Sequence, residues 1–532
     1  MPTNAHDRVR VSRPKAALIL LAATLAVFPY WPLRAAELYA DQGLSLQWDT
    51  TLRYSTLFRV QPRDNQLIDN PNTDDGDRNF EPGLVSNRLD VFSQADVDYG
   101  DFGLRVSGAG WYDSVYTGRN DNDSPATFNP LSVPHDAFTR ATRALHAEHA
   151  ELYDAFLHGS FSLGDMPVSF RLGRHALLWG ESLFFPDNGI AAGQAPVDDI
   201  KAIGNPQATA AEILLPVTQA SATFLPRPDI AIDLYYQFEW RKNRLPGSGS
   251  YFSVNDTLDA GGERFLLDNG AYLTRAGDLR PPDDDQFGAA VRFTEPDLSY
   301  GFYALRFDAK NPEIYLRPDG AAGPGDVGTY QLVYPRDIEL YGASLSGYVA
   351  DSNVAGELSL RRNMPLVSMP VIVAPGTDAD AGEHARYALG NTLHAQVSSV
   401  SSFGAAALWD GATLTAELAA SDILDITRNG TVIDPSRSRA ALASEVSFAP
   451  EYFEVLPNLD ISVPIGVELG LAGNSSTSGD VISGTGDVEI ALEATFRNVW
   501  EARVSFTHFL GSPARQPLAD RDFASISIQR TF

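Results

Sequence analysis

Residues 229–242 read DIAIDLYYQFEWRK: Ile230, Ile232, Leu234, Tyr236, Phe238 and Trp240 hold one register, and Asp233, Gln237, Glu239 and Arg241 the other. A period of two is that of a β-strand with one apolar and one polar face. Its flanks are unequal: a tight LPRPD turn (225–229) precedes it and a long polar connection (243–285) follows it. DVEIALEATFRN repeats the alternation, with Val488, Ile490, Leu492, Ala494 and Phe496 against Glu489, Glu493, Thr495 and Arg497.

Further out, short turns near 98–103, 162–167, 225–229, 294–299, 350–354, 409–412 and 497–500 alternate with long connections near 61–84, 118–149, 181–213, 243–285, 311–335, 364–388, 425–437, 472–484 and 513–520. Soluble sandwiches do not sort their loops this way. Up-and-down outer-membrane barrels do, with tight periplasmic turns and large external loops. Closure removes the strand edges that hydrocarbon would not tolerate. The expected fold is all-β: a transmembrane antiparallel barrel of about 18 strands, or 14 or 16 if weak segments drop out, with both ends periplasmic. Its place is the outer membrane of a Gram-negative bacterium, among lipids and lipopolysaccharide. Asp233, Glu239, Arg241, Arg292, Glu489, Glu493 and Arg497, with Arg171 and His175, are expected to line the lumen. Trp179, Trp240, Trp409 and Trp500 lie near segment ends, where an aromatic girdle belongs.

The N-terminus agrees. Arg8, Arg10, Arg13 and Lys15 precede an apolar run from Ala16 to Phe28, too short to span a bilayer as a helix, and small residues follow at Ala35 and Ala36. Residues 1–36 therefore read as a secretory signal, and 37–532, with no linker or change of composition, as one barrel domain. No cysteine is present, so stability has to come from packing or from lipid. The formal charge is -28, about -32 once the signal's cations are removed, which repels phosphate backbones and argues against a nucleic-acid partner.

The C-terminus supplies an address. In RDFASISIQRTF, Ala524, Ile526, Ile528 and Arg530 alternate with Ser525, Ser527, Gln529 and Thr531, and the chain closes on Phe532. A last strand ending in an aromatic resembles the signal read by the barrel assembly machinery, with Ile526, Ile528 and Phe532 as its elements. Arg530 departs from the usual apolar third-from-last residue.

Catalytic signatures are missing: there is no G-x-S-x-G, H-E-x-x-H, phosphate loop or nucleophilic cysteine, so no enzyme and no cofactor are expected. His146, Glu148, His149 and Glu151 have spacings that suit a metal, but read as a solvated helix running into a strand. Acidic stretches at 69–81, 118–125, 281–286 and 377–384 lack the register of a calcium-binding loop and read as solvated tips, so no metal is expected.

The connection near 181–213 is unlike the others. Long, rich in apolar groups and broken by proline and glycine, it is poorly suited to water and expected to fold inward as a plug or constriction. Trp179, Gly180, Glu181, Ser182, Phe184, Phe185, Ile190, Pro196 and Asp198 are its candidate gate residues, with Glu181 or Asp198 available to pair with Arg171 and His175 from within.

GRHALLWGES (Gly173–Ser182), then Pro196-Val197-Asp198, then EILLPVTQAS (Glu212–Ser221) resembles the proteobacterial outer-membrane family catalogued as domain-of-unknown-function family 1302. That resemblance implies a barrel associated with a periplasmic lipid-handling protein and an inner-membrane transporter of the resistance-nodulation-division class, and so passage of hydrophobic or amphipathic, lipid-like molecules. The residues themselves leave other readings open: a diffusion porin for polar solutes, or a surface-binding adhesin, since large loops suit binding.

Overall fold

The computed structural model describes residues 36–41, 43–205, 207–319, 325–479 and 481–532. The expected signal lies outside them apart from Ala36. Eighteen staves close into an antiparallel barrel. They are β1 (Leu44–Arg59), β2 (Gly83–Tyr99), β3 (Phe102–Asp113), β4 (Glu148–Leu163), β5 (Met166–His175), β6 (Val217–Arg227), β7 (Ile230–Gln237), β8 (Gln286–Thr294) and β9 (Leu298–Phe307). There follow β10 (Ile338–Val349), β11 (Ser352–Leu366), β12 (Ala388–Phe403), β13 (Gly411–Arg428), β14 (Ala440–Leu456), β15 (Leu459–Ser462 and Ile465–Ala472), β16 (Gly486–Phe496), β17 (Trp500–Leu510) and β18 (Phe523–Thr531). Ala36–Asp41 folds back on the start of β1 as a short extra strand. β18 pairs with β1 from Thr51↔Thr531 to Arg59↔Phe523, which closes the cylinder.

Alternation sets the two faces. Leu52, Leu104, Leu157, Leu172, Leu234, Phe302, Leu345, Leu418, Ile490 and Val504 are 40 to 56% exposed, whereas their neighbours Arg53, Ser505 and Asp233 are buried inside. An apolar outside around a polar inside is what an outer-membrane barrel requires, and this chain is one. No helix among the described residues is long and apolar enough to cross a membrane, which bears only on helices.

All nine long connections leave from the same rim. Three of them carry β-structure that the sequence reading treated as loop. Arg264–Leu266, Tyr272–Arg275, Glu313–Pro318, Asp326–Val333 and Val371–Ile372 form a separate sheet with its own core of Tyr315, Tyr330, Leu332 and Val333. The external loops are thus a folded cap.

The cap explains several departures from expectation. β7 stops at Gln237, and Trp240 leaves the wall to pack on Tyr334 at 4.9 Å with the Arg280 guanidinium over it, so it is core and not girdle. Trp179 is likewise buried, against Tyr235 and Tyr303. Trp409 and Trp500 do stand at the short-turn rim, Trp409 edge-on to Phe448. In the 69–81 stretch, Asp74, Asp75 and Asp77 are fully buried, so that segment is no solvated tip. His146 ends the helix Arg140–His146, stacks on Tyr116 and accepts the Gly247 N–H at 3.0 Å, while Glu151 holds Arg241 and Arg244; the four residues form no metal cluster.

Arg530, at the place where an apolar residue is usual, lies 5.1 Å from the Trp500 ring centre and 4.4 Å from that of Phe532. Sandwiched between two aromatic faces, the guanidinium is covered much as an apolar side chain would be. Phe532 N–H donates to Thr50 O at 2.9 Å, so the terminal residue is stitched to the first stave.

Candidate functional site: the inward loop and the cavity beneath it

The 176–216 connection turns into the barrel. Leu177 and Trp179 join Ile190, Tyr235, Tyr303, Leu305, Phe307 and Leu340 in a core on the inner wall of β7 to β10. The chain then crosses toward β11–β13. Glu357 on β11 accepts the backbone N–H groups of Glu181, Ser182 (3.1 Å) and Ile190 (2.8 Å). Glu417 on β13 accepts those of Leu183 (3.2 Å), Phe184 (2.5 Å) and Phe185 (3.2 Å). Two carboxylates thus hold a run of backbone donors that have no strand partner. Arg361 on β11 donates to Asp187 O (2.8 Å) and Gly189 O (2.9 Å), and Asn188 Oδ1 meets His394 Nδ1 at 2.9 Å. Gly180 is needed for the approach: its φ is +99°, and a Cβ there would sit 2.2 Å from Glu357 Oε1.

The returning half is anchored on the other side. Asp198 caps the helix Asp199–Gly204 and meets Arg244 at 2.6 Å, and Pro196 O accepts the Leu215 N–H at 2.8 Å. Thr209 and Glu212 form a capping box on the helix Ala210–Ile213, and Glu212 accepts both terminal nitrogens of Arg53 on β1, at 3.0 and 2.8 Å. Lys201 Nζ donates to Tyr153 OH at 2.9 Å. The loop therefore spans the lumen and is tied to β1, β4, β11, β12 and β13.

The structure brings Trp179, Gly180, Glu181, Ser182, Phe184, Phe185, Ile190, Pro196 and Asp198 together in this one insertion. Asp233 and Arg292 are paired inside at 2.7 Å, and Glu489 and Glu493 both face Arg503. Arg171 lies 5.8 Å from the Phe156 ring centre inside the barrel. Arg241 sits inside the external mouth on Glu151 at 2.9 Å. Two assignments to the lumen are corrected. Glu239 follows the end of β7 and turns to Arg174 and Thr218 on the outward side, because the chain has already left the strand's phase. Arg497 occupies the β16–β17 turn with φ +55° and lies over the outward-facing Phe496. The pairing of Glu181 or Asp198 with Arg171 or His175 does not form: Asp198 takes Arg244, and His175 is buried against Gly173 O and Ser221 Oγ.

Sequence reasoning missed the anchors. Glu357, Glu417, Arg361 and Arg53 each stand in the polar register of an alternating strand, as in TLTAELAAS, where Glu417 is the lone charge; that was the available signal. Missed too was an acidic ladder: Glu417, Glu445, Glu468 and Asp487 are directly opposite one another on β13 to β16. Like charges so placed repel.

Below the loop, a cavity of about 820 Å³ opens toward the short-turn rim at Gly100 and Asp101. Leu177, Leu178, Trp179 and Tyr303 form its roof and Phe156 one side, while the rest of the lining is mainly polar, with Arg105, Arg171 and Arg292 among Asp98, Asp101, Glu181 and Asp233; the Phe170 ring turns outward, onto Phe102 and Phe161. Arg105 is paired with Asp96 and Arg292 with Asp233. Arg171 forms no ion pair among the described residues.

The family described as "Protein of unknown function (DUF1302)" matches residues 15–532. No curated protein matches the chain. Among solved structures, OccAB1 of Acinetobacter baumannii is similar at 12% identity, covering 92% of this chain and 96% of that one, with a TM-score of 0.44. OpdK of Pseudomonas aeruginosa with vanillate (11%, 92% and 98%, 0.41) and a BenF-like porin from Pseudomonas fluorescens Pf-5 (10%, 92% and 98%, 0.41) are similar to the same degree.

Proposed function

Because the chain belongs to the family described as "Protein of unknown function (DUF1302)" and folds as an outer-membrane barrel, we propose that it is a loop-gated channel for amphipathic small molecules with a lipid-like or aromatic body and an anionic head. The observation that carries this reading is the cavity under the inward loop, whose volume of about 820 Å³ lies in the range of small-molecule sites. Its apolar roof and the Phe156 ring suit a hydrophobic body, and the polar remainder of its lining suits a head group. Arg171, a cation beside an aromatic face that feels Asp154 but forms no close ion pair, suits the head group. The opening faces the periplasmic rim, where a periplasmic lipid-handling protein would exchange cargo and connect the barrel to an inner-membrane transporter of the resistance-nodulation-division class.

The test compares short-chain carboxylates, six to eight carbons long, with their methyl esters by titration calorimetry on purified protein. The carboxylate should bind more tightly than the ester, and Arg171→Ala should remove roughly tenfold or more of that preference, the worth of one charge-assisted hydrogen bond. Equal binding of acid and ester by the wild type would sink the reading. The acidic ladder on β13 to β16 favours a second one, a diffusion porin for polar cations. In that case reversal potentials would show strong cation selectivity and the Arg171 variant would leave carboxylate binding unaltered.

A further inference from the structure

The external cap holds a cluster that passage through the barrel does not use. Asp74 and Asp75, from the 60–82 loop, and Asp256, from the 238–285 loop, are all fully buried, and one oxygen of each lies within 4.8 Å of the others. Their protein partners are few. Asp74 Oδ2 accepts from Arg78 Nε at 2.5 Å, and Asp256 Oδ2 accepts the Asp75 N–H at 3.1 Å. Asp75 accepts from Asn122 Nδ2 (3.2 Å) and the Asn129 N–H (3.1 Å), both from the 114–147 loop. Thr127 and the Gly76 backbone also approach Asp74 and Asp256, but Asp74 Oδ1 and Asp256 Oδ1 are buried and make no well-formed hydrogen bond, and the amide oxygen of Asn129, whose N–H bonds Asp75, is likewise buried without one.

The charges do not balance. Arg78 pairs with Asp74, while Arg59 and Arg521 are engaged by Asp77 and Asp520 and by the carbonyls of Tyr251 and Ser253. Three buried carboxylates are left with one guanidinium, and uncompensated buried charge is costly. The two loops are also pressed together here: a Cβ on Gly76 would come within 2.3 Å of Ser253 O and 2.8 Å of Ser250 O. A compact, all-oxygen donor set with surplus negative charge and unpartnered oxygens suits a hard divalent cation with adaptable coordination.

We propose that Asp74, Asp75 and Asp256 bind one calcium ion that clamps the 60–82, 114–147 and 238–285 loops into the external cap. The full chain would be refolded in detergent from lipopolysaccharide-free inclusion bodies, stripped with EDTA, and titrated with Ca²⁺, Mg²⁺ and luminescent Tb³⁺. One Tb³⁺ per chain, sensitised by the nearby Tyr251 and Tyr116 and displaced by Ca²⁺ at lower concentration than by Mg²⁺, is the expected result. Ca²⁺ should also protect the 238–285 loop from limited proteolysis. Asp75→Asn and Asp256→Asn should each weaken Ca²⁺ binding by roughly 100-fold or more while the barrel stays heat-modifiable. The absence of a stoichiometric site in the wild type, or undiminished binding in both variants, overturns the proposal and leaves shared protons as what neutralises the cluster. A preference for Mg²⁺ overturns the assignment to calcium. Should either variant fail to fold, the wild-type titration and protease protection still decide.

Discussion

Glu357 and Glu417 hold the longest run of loop backbone against the far wall, where Arg361 and His394 also hold it, and replacing the two carboxylates with glutamine should loosen it. Each carboxylate accepts three backbone N–H groups of the loop. A hydrogen bond to a charged acceptor contributes about 1.5 to 3 kcal/mol, with the lower end fitting a partly hydrated lumen. Glutamine keeps one carbonyl oxygen, hence one or two of the three bonds, so each substitution should weaken the closed state by about 2 to 3 kcal/mol. The acidic ladder acts in the same direction. Glu417 stands opposite Glu445, and the loop's N–H groups screen that repulsion only while the loop is closed, so neutralising Glu417 relieves the open state more than the closed one. At about 1.4 kcal/mol per tenfold, the single variants should shift the closed-to-open ratio by roughly 30- to 150-fold, and the double variant by roughly 10³ to 10⁴. Open probability in planar bilayers reads this directly, with heat-modifiable migration as the check that the barrel is intact. Wild-type dwell times in the double variant would refute the anchoring role and place the hold on Arg361, His394 or the Arg53 side.

Three further outcomes follow from the same geometry. Leu234→Arg, on the lipid-facing side of β7, should destabilise the barrel by up to about 2 to 4 kcal/mol if it lies at the bilayer midplane, measured by urea unfolding in lipid vesicles; a loss under about 0.5 kcal/mol would mean the phase of β7 is misassigned. Removing Phe532 cuts the stitch to Thr50 and one face of the Arg530 sandwich, and should lower the yield of assembled barrel and leave protease-sensitive material in the periplasm; normal yield would contradict the addressing role. Burial, with Arg88 and Arg244 nearby, pushes the His146 imidazole down to about 3, so the folded cap holds it neutral. A depressed imidazole pKa means the opened cap binds the extra proton, so cap stability falls as pH drops below about 6.5, by roughly 2 to 3 kcal/mol near pH 4.5. Proteolysis of the external loops at pH 7 and pH 4.5 should show this, and His146→Gln, which keeps an acceptor for Gly247, should reduce the difference.

The barrel was legible because its two signals are local. Alternation fixes which residues face lipid, and loop length fixes which rim is external, so a barrel of about 18 strands and the inward fold of the 181–213 stretch could be read without knowing any contact. What escaped depends on long-range partners. Glu239 and Trp240 continue the alternation of β7 on paper, yet the backbone leaves the wall once Phe238 has bonded to Thr218, and nothing within the segment announces that exit. Asp74 and Asp75 look like a solvated tip because their burial comes from loops 114–147 and 238–285. The short strand Val371–Ile372 pairs with Tyr315–Leu316, and Tyr272–Arg275, beyond its local hairpin, with Asp326–Tyr330, each tens of residues away and too far for any window of pattern to reveal. The anchors Glu357 and Glu417 lay between these cases: their inward register was readable, but their role required knowing that the loop crosses to them.

If the inward loop closes a conducting barrel, removing it should open one. Replacing residues 186–210 by a short glycine linker removes the helix Asp199–Gly204, the 3-10 turn Ile190–Gly193 and the Asp198–Arg244 tie while leaving every stave in place. Single-channel conductance and uptake of a bulky amphipathic probe should rise together. Small-ion conductance that stays at the wild-type level, in a variant that still migrates as a heat-modifiable barrel, would mean that the segment does not occlude the path.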